Sequence, residues 1–335
     1  MTWNPQPVRA AVLALLAGLL APPAAVQAQG FDPVTTRAAG MGGAFVAVAD
    51  DASAVYWNPA ALASGAFFSL LVDRTSARAL GDDPPDALGG SRSGTLFALS
   101  TPPVGLSYYR LRSTWIAPNP TDPAASVTQT LITHHTGITL VHSLADGVSI
   151  GSTVRLVRGV AASGLATAGH VDDRLDEAGD LVGQASNTVD ADVGISAVFR
   201  TLRAGLTVRN LAAPSFETAG SDTELTLERQ GRAGVALTSP LGFTLALDID
   251  LNAVRGPIGK VRDIAIGTEA RILPKAFARA GLRLNTLGDE PGGRAPTVSF
   301  GGSYAALPSL WIDAEATVGA ETGRRGWGVA ARVGF

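Results

Sequence analysis

Most of the chain alternates between apolar and polar residues with a period of two, which is typical of β-strands whose two faces meet different surroundings. From Phe243 to Leu251, every odd position is Phe, Leu or Ile, and every even position is Thr, Ala or Asp. About fourteen such segments follow Gly65, with lengths near the ~9–11 residues of a tilted membrane strand. The predicted strands are Phe67–Asp73, Gly94–Thr101, Gly105–Arg112, Thr128–Leu144, Val148–Arg158, Thr188–Phe199, Leu202–Asn210, Arg232–Thr238, Phe243–Leu251, Ile264–Ile272, Ala276–Asn285, Thr297–Tyr304, Leu310–Val318 and Trp327–Phe335.

The connections between these strands alternate between two kinds. Turns such as Ala145–Gly147 and Leu273–Lys275 are very short, whereas links such as Gly159–Asn187 and Leu211–Gly231 are long and polar. Outer-membrane barrels have short turns on the periplasmic side and long loops outside. We therefore predict an all-β fold, a transmembrane antiparallel β-barrel of about fourteen strands.

The alternation also predicts which residues face the interior of the barrel. Charged side chains in hydrocarbon are costly, so the charged face of each strand should line the lumen. We expect a lumen charge network made of Asp248, Asp250, Glu269, Arg271, Arg279, Arg283, Asp313, Glu315 and Arg332.

Cross-strand ion pairs are the simplest role for these charges. We expect Asp190 and Asp192 to pair with Arg203 or Arg209. The other expected pairs join Asp248 and Asp250 to Arg271, Arg279 or Arg283, and Asp313 and Glu315 to Arg332. Cation binding by the paired carboxylates is the alternative.

Aromatic residues are expected in two girdles at the membrane surfaces. The predicted girdle near the short turns comprises Phe199, Phe243, Phe277, Tyr304, Trp311 and Phe335, and the thinner girdle near the long loops comprises Trp115 and Trp327.

Composition and targeting agree with a membrane barrel. The chain has 335 residues, 39 of them Gly, and only 16% are charged, which is unusual for a soluble enzyme. A net charge of −3 does not indicate nucleic-acid binding. The absence of Cys excludes disulfides, thiolate metal sites and a cysteine nucleophile. Residues 1–28 have the layout of a secretory signal peptide: Arg9, an apolar core, and a small-residue cleavage site ending at Ala28. We expect the mature protein in the bacterial outer membrane, in contact with its lipid.

The stretch from Arg37 to Ala63 does not alternate. Asp51 is predicted to cap a helical turn over Ala52–Val55, and Asn58 before Pro59 predicts an N-cap with proline at the first position of a second short helix. Helices this short are unstable alone in water, so they need a surface on which to pack.

The same stretch carries a family resemblance. RAAGMGGA from Arg37, Ala49-Asp50-Asp51 and Trp57-Asn58-Pro59-Ala60 resemble the amino-terminal signature of FadL-like outer-membrane barrels, and more closely that of the shorter PorV-like and TraF-like branch. The resemblance implies a short helical amino-terminal plug over residues 29–66 inside a barrel formed by residues 67–335. Its motif residues are Gly40, Met41, Gly42, Gly43, Asp50, Asp51, Trp57, Asn58, Pro59 and Ala60. The alternative is a capped helical turn that precedes an unrelated β domain.

The sequence patterns that resemble catalytic or metal sites lack features that those sites need. Gly147–Gly151 matches GxSxG, but it enters a strand instead of the strand–turn–helix that a nucleophile elbow needs. His134 and His135 point to opposite faces of one strand and cannot share a metal. The acidic run Asp172–Asp180 lacks the glycine and the terminal glutamate of an EF-hand. We expect no enzyme activity, no metal and no cofactor.

Two functions follow from the resemblance. The first is a FadL-like passive channel for small, mainly hydrophobic molecules, gated by the plug. The second is a non-transporting accessory or shuttle protein of a secretion or conjugation system, whose partner would belong to that system. An apolar pocket beside the plug would favour the channel, and a lumen filled with ion pairs would favour the accessory protein.

Overall fold

The computed structural model describes residues 34–80, 89–119, 125–166, 170–221, 223–256, 259–287, 296–319 and 323–335. Within these ranges fourteen strands form a closed antiparallel β-barrel, and two short hairpins lie in its long loops. The barrel strands are β1 (Ser69–Leu80), β2 (Gly89–Thr101), β3 (Val104–Pro118), β4 (Ser126–Ala145), β5 (Val148–Leu165), β6 (Ala185–Phe199), β7 (Leu202–Arg209), β10 (Gln230–Ser239), β11 (Phe243–Asp250), β14 (Asp263–Leu273), β15 (Ala276–Asn285), β16 (Thr297–Leu307), β17 (Leu310–Gly319) and β18 (Arg325–Gly334). The hairpin strands are β8 (Ser215–Ala219) with β9 (Glu224–Thr226), and β12 (Val254–Gly256) with β13 (Gly259–Val261).

The predicted all-β barrel is confirmed, and each of the predicted segments coincides with one of the barrel strands. Consecutive strands pair antiparallel, and β18 closes the barrel on β1 with Val333 opposite Leu70. The predicted signal peptide, residues 1–28, lies outside the described residues.

Alternation along the strands separates an apolar exterior from a mixed interior, as predicted. Leu247 leaves 43% of its surface exposed on the outside, whereas Asp248, the next residue, is fully buried. Phe199, Tyr304 and Phe335 of the predicted short-turn girdle are exposed. The prediction for Trp115 is wrong, because this side chain faces the interior and packs in a buried apolar cluster.

The long-loop end carries elements that the alternation did not predict. Helix α3 (Val171–Glu177) and a 3-10 turn (Ala178–Asp180) lie in the loop after β5. Val171 and Leu175 of α3 pack against Ile116 of β3.

A non-strand segment, residues 34–65, lies inside the barrel; we call it the interior segment. It contains helix α1 (Thr36–Gly40), helix α2 (Ala54–Trp57) and a 3-10 helix (Pro59–Ser64). Every residue from 34 to 62 except Asp50 is buried. Its side chains and the inward side chains of the wall form the main apolar core. No helix among the described residues is long and apolar enough to cross a membrane.

Candidate functional site

The candidate site is the interface between the interior segment and the barrel wall. It begins where Asp73 of β1 meets the first turn of α1. The backbone N–H of Thr36 donates to Oδ2 of Asp73 at 2.8 Å, and the Thr36 hydroxyl donates to Oδ1 at 3.1 Å. A carboxylate at a helix N-terminus satisfies free N–H groups and interacts favourably with the helix dipole. The wall thus supplies the cap that α1 does not find in its own sequence.

The glycines of the motif lie directly on wall backbone. Gly42 has φ +67°, and a Cβ on it would stand 2.8 Å from the backbone nitrogen of Leu282. Next to Leu282 on β15, a Cβ on Gly281 would stand 2.1 Å from the backbone nitrogen of Gly42. Only glycine on both sides permits this approach. Gly40 meets Gly301 in the same way, Gly43 has φ +88°, and Met41 between them is fully buried.

Asp248 of β11 holds the next part of the interior segment. Its Oδ2 accepts hydrogen bonds from the backbone N–H groups of Phe45 and Val46, each at 2.9 Å. Oδ1 of the same carboxylate has no hydrogen-bond partner among the described residues. Asp248 therefore anchors backbone from the interior segment.

Arg37 is the centre of an ion-pair network that joins the interior segment to β14. Its guanidinium donates to Oε1 and Oε2 of Glu269 at 2.8 and 3.0 Å, to Oδ2 of Asp51 at 3.2 Å, and also to Asp50. Burial opposes the charge on Arg37, but Asp50 and Glu269 outweigh it and hold the pKa of Arg37 well above its usual value. Burial likewise opposes ionisation of Asp51, but Arg37 and Arg332 hold its pKa below the usual value.

The network continues along the wall through predicted residues. Arg279 donates to Glu269 and, at 3.3 Å, to Oδ1 of Asp313, and Arg332 donates to Oδ2 of Asp313 at 2.9 Å. Arg332 also lies 4.0 Å from Asp51, so the chain of charges returns to the interior segment. The structure thus brings together Arg279, Glu269, Asp313 and Arg332 beneath the motif residues.

Other predicted members of the network lie elsewhere. Glu315 accepts from the Thr317 hydroxyl at 2.9 Å, and Arg283 lies 3.8 Å from Asp263. Arg271 is exposed at the short-turn end, where it stacks on Phe277.

The predicted partners of Asp248 and Asp250 are wrong. Asp250 accepts from Nε of Arg232 at 2.7 Å, since these two residues are opposite each other on β10 and β11. Arg279 and Arg283 lie on β15, beyond β14, and pair with acids closer to them.

The main partner of Asp190 and Asp192 also differs from the prediction. Both carboxylates accept from the guanidinium of Arg155, which stands opposite Asp190 on β5. Arg209 contributes a longer contact of 3.6 Å to Asp192, and Arg203 lies near Asp50 instead.

Asn58 has two roles in the structure. Its Oδ1 accepts from the N–H of Ala60 at 3.2 Å, which is the predicted cap, with Pro59 in the first turn of the helix. Its Nδ2 donates to the carbonyls of Val46 and, on β6, Ile195 at 3.2 and 3.1 Å. A Cβ on Gly194 would stand 2.1 Å from Oδ1 of Asn58, so glycine in the wall makes room for this side chain.

Asp51 and Trp57 fix the rest of the motif. Asp51 accepts from both the backbone and the hydroxyl of Ser53, and α2 begins at Ala54, two residues later than predicted. The indole N–H of Trp57 donates to the carbonyl of Val34 at 2.9 Å, which ties α2 to the start of the interior segment.

Aromatic and basic side chains lie on the long-loop side of α2. The guanidinium of Arg209 is 3.7 Å from the centre of the Tyr56 ring, and it donates to the Tyr109 hydroxyl at 3.4 Å. Tyr109 in turn stacks on His135 with ring centres 4.2 Å apart. His135 is buried and faces the interior, whereas His134 shares a hydrogen bond with the hydroxyl of Tyr108 on the outside. The two histidines therefore point to opposite faces.

Farther toward the long loops, the interior is lined by apolar side chains. Hairpin β8–β9 folds over the inner faces of β3, β4 and β5, and it buries Phe216 and Leu225 there. This cluster comprises Trp115, Leu131, Val157, Ala161, Phe216, Leu225 and Leu227. The indole N–H of Trp115 and Oε1 of Gln129 are buried there without a hydrogen-bond partner among the described residues.

The sequence patterns weighed as catalytic or metal sites have structural roles in the fold. The Ser149 hydroxyl of GxSxG donates to the carbonyl of Ala60, so it supports the interior segment. Asp172 and Asp176 of the acidic loop pair with Arg78. No cluster of three or more metal-ligating side chains occurs among the described residues.

Sequence reasoning missed Asp73, Arg155 and Tyr109 as members of the site, and it named Arg209 only as an expected partner of Asp190 and Asp192. The alternation places each of them on an inward face, but it does not show which inward residues lie at the depth of the interior segment. Arg37 begins the stretch that resembles the FadL-like signature. A charged residue beside an apolar sequence was the sign in the sequence that Arg37 belongs to the site.

A family model described as "F plasmid transfer operon, TraF, protein" matches residues 132–250, from within β4 to the end of β11. No curated protein matches the chain.

Solved structures match over nearly the whole chain. The CymD monoaromatic hydrocarbon channel superposes with a TM-score of 0.62 at 13% identity, over 92% of this chain and 99% of that one. A FadL homologue of Pseudomonas aeruginosa gives 0.61 at 12% identity, over 92% and 100% of the two chains. The Pseudomonas putida toluene transporter TodX gives 0.59 at 12% identity, over 92% and 99%. The chain therefore shares the fold of these barrels.

Proposed function

We propose that this protein is an outer-membrane channel through which small, mainly hydrophobic molecules cross passively. The apolar exterior supports the location, because exposed Leu245, Leu247 and Ile249 on one strand continue into Val235 and Ile266 on its neighbours. A soluble protein seldom leaves so large an apolar surface in water. The similarity in fold to channels for monoaromatic hydrocarbons and toluene supports the transport class.

In this proposal the interior segment is the plug of the channel. The observation that carries it is that the segment touches the wall on several sides: Asp73 of β1, Ile195 of β6, Asp248 of β11 and Glu269 of β14 all bind it. A molecule that crosses the lumen must pass or displace this segment.

The segment is held without belonging to the sheet. Its contacts to the wall are side-chain hydrogen bonds, ion pairs and apolar packing, whereas the wall strands pair with one another around the barrel. Displacing the segment therefore leaves the strand pairing intact, which is what a gate requires.

The lining on the long-loop side supports hydrophobic cargo. Trp115, Leu131 and Val157 point toward the interior at that end, and Phe216 of hairpin β8–β9 covers them, so their apolar surface becomes available to cargo when the hairpin moves aside. Apolar surface favours the transfer of apolar solutes out of water.

The alternative is the accessory or shuttle protein of a secretion or conjugation system. It is favoured by the TraF family match across β4–β11 and by the ion pairs that surround the interior segment. We rank it second, because similarity in fold over nearly the whole chain extends to channels.

Weakening the seat of the plug separates the two functions. Asn58→Ala with Pro59→Gly removes the cap, worth about 1 kcal/mol, and the two Asn58 hydrogen bonds to carbonyls. The variant barrel should insert normally but show a higher rate of uptake of small hydrophobic and zwitterionic probes in proteoliposomes. Deletion of residues 30–65 should increase it further.

Pro274→Gly in an exposed short turn is the matched control, and its uptake should equal that of the wild type. Unchanged uptake in both plug variants, together with loss of secretion or conjugation in cells, would support the accessory protein. Loss of insertion in the double variant would show that the segment is a folding element of the wall.

A further inference from the structure

A row of basic side chains crosses the outer surface of the barrel. Arg74 of β1, Thr95 of β2, Arg110 of β3, His134 of β4 and Arg158 of β5 are consecutive register partners. Adjacent partners in a sheet lie about 5 Å apart. Three arginines and a histidine therefore share one continuous strip, which we call the basic row.

These side chains point outward. Their sequence neighbours Asp73, Tyr109, His135 and Val157 are buried and face the interior, where Asp73 caps α1 and Tyr109 stacks on His135. Successive residues of a strand point to opposite faces, so the basic row lies on the exterior. Arg74 and Arg158 are exposed, and Arg110 and His134 are half-buried.

The charge of the basic row is not neutralised by the chain. Arg110 and Arg158 make no ion pair within the described ranges, Arg74 donates only to the Thr95 hydroxyl at 2.7 Å, and His134 bonds to the Tyr108 hydroxyl at 2.8 Å. Arg78, by contrast, lies four residues along β1 from Arg74, toward the long loops, and pairs with Asp172 and Asp176 of the α3 loop. Arg78 therefore has acidic protein partners, whereas the arginines of the basic row make no ion pair within the described ranges.

Apolar surface adjoins the row on the side of the short turns. The next outward rows contain Val72, Phe97 and Leu156, followed by Leu106, Ile138 and Val154, and all of these are exposed. On the side of the long loops the next row contains Ser76, Ser93, Arg112, Ile132 and Val160. Ser76 pairs there with Trp327 of the predicted girdle near the long loops. On β1, β2 and β3 the basic row therefore lies between apolar rows on the short-turn side and polar residues on the long-loop side.

From this arrangement we infer that the basic row binds the phosphate-bearing headgroup of an anionic membrane lipid, with the acyl chains against the apolar rows below. The inference depends on the membrane location in the proposed function, but not on transport. Guanidinium groups match phosphate geometry, and arginine keeps its charge in poorly hydrated surroundings. A free anion would use the row alone, whereas a lipid uses both the row and the apolar surface.

The test is native mass spectrometry of the intact barrel in a non-ionic detergent, titrated with phosphatidic acid. Diacylglycerol with the same chains is the ligand control. The wild type should bind phosphatidic acid far better than diacylglycerol. Arg74→Gln/Arg110→Gln/Arg158→Gln should weaken phosphatidic acid binding roughly a hundredfold, since each basic side chain near an anionic lipid contributes a factor of about five.

Three controls keep the result interpretable. The corresponding triple Lys variant, which keeps the charge, should retain most of the binding. Arg200→Gln/Arg262→Gln, with both arginines exposed and away from the row, should bind as the wild type does. Heat-modifiable migration of every variant reports whether the barrel is folded, and fractionation of cells reports separately whether it reaches the outer membrane.

Several results would overturn the inference. One is equal binding of phosphatidic acid by the wild type and the triple Gln variant, and another is equal binding of the two lipids by the wild type. Displacement of the lipid by inorganic phosphate alone would assign the row to a free anion. A photoreactive residue at exposed Thr136, beside the row, that cross-links to a protein instead of a lipid in cells would assign it to a protein partner.

Discussion

A carboxylate that binds backbone N–H groups has a different structural effect from one that binds an arginine. Asp250 joins two wall strands through Arg232, whereas Asp248, two residues earlier, binds the amides of Phe45 and Val46 in the interior segment. Both residues face inward on β11. Asp248 binds the segment directly, whereas Asp250 binds Arg232, which donates a longer hydrogen bond of 3.4 Å to the Gly43 carbonyl.

Asp248→Ala should therefore loosen the interior segment without opening the wall. It removes two charge-assisted hydrogen bonds, worth on the order of 3 kcal/mol together. Amide hydrogen exchange at Phe45 and Val46 should become roughly a hundredfold faster if opening of the segment limits it. Exchange in β11 should change little.

Asp190→Ala is the matched control, because Asp190 pairs with Arg155 within the wall and makes no contact with Phe45 or Val46. Its effect should appear in β5 and β6. Equal protection of Phe45 in the wild type and in Asp248→Ala would contradict the anchoring role.

At the scale of residues, the sequence predicted which side chains face inward better than it predicted their ion-pair partners. Alternation placed Asp248, Glu269, Arg279 and Asp313 inside, and all four are buried. It did not predict that Arg155 would bind both Asp190 and Asp192, because register between strands depends on turn geometry and strand offset as well as on alternation. Asp73 escaped notice because its partner is a helix end that only the folded barrel brings to it.

At the scale of elements, a strand is specified by its two unlike faces. Strand β11 exposes Leu245, Leu247 and Ile249 and buries Ala246 and Asp248. Ala246 belongs to the core around the interior segment, so a large residue there would push against that segment before it disturbed the wall.

Leu247→Arg should destabilise the inserted barrel by about 2–4 kcal/mol, because a lipid-facing arginine near the middle of a strand must enter hydrocarbon. Thr244→Arg, on the inward face of the same strand and half-exposed, is the matched control. Urea unfolding in lipid vesicles, followed by tryptophan fluorescence, gives both values. A loss of stability as large for Thr244→Arg would mean that the faces are assigned incorrectly.

Long alternating elements were predictable, and short ones inside loops were not. The bounds of β15 (Ala276–Asn285) are those predicted from the pattern. Hairpin β8–β9 and helix α3 are too short for periodicity to show. Phe216, Val171 and Leu175 are buried only because the loops fold back on the barrel.

At the scale of the whole molecule, the closed barrel predicts how the protein behaves in the envelope. We expect it in the outer-membrane fraction, shortened by removal of residues 1–28, and migrating faster in unheated than in boiled gel samples because a closed barrel resists detergent. Fractionation, amino-terminal sequencing and gel migration test the three points. A protein found soluble in the periplasm, or with residues 1–28 retained, would contradict the proposed location.

The position of the interior segment also bears on the order of assembly. Arg37 meets Glu269 across 232 residues, and Phe45 meets Asp248 across 203, so the segment precedes in the chain nearly all the wall that holds it. The last strand, β18, pairs with β1 immediately after that segment, and Phe335 stacks on Phe68. Closure of the barrel and enclosure of the segment therefore depend on the same strands. A truncated chain lacking β14–β18 has neither the β1–β18 pairing nor Glu269, the wall acid that binds Arg37. The interior segment can therefore reach its full set of wall contacts only after the strands that follow it by more than 200 residues have been made.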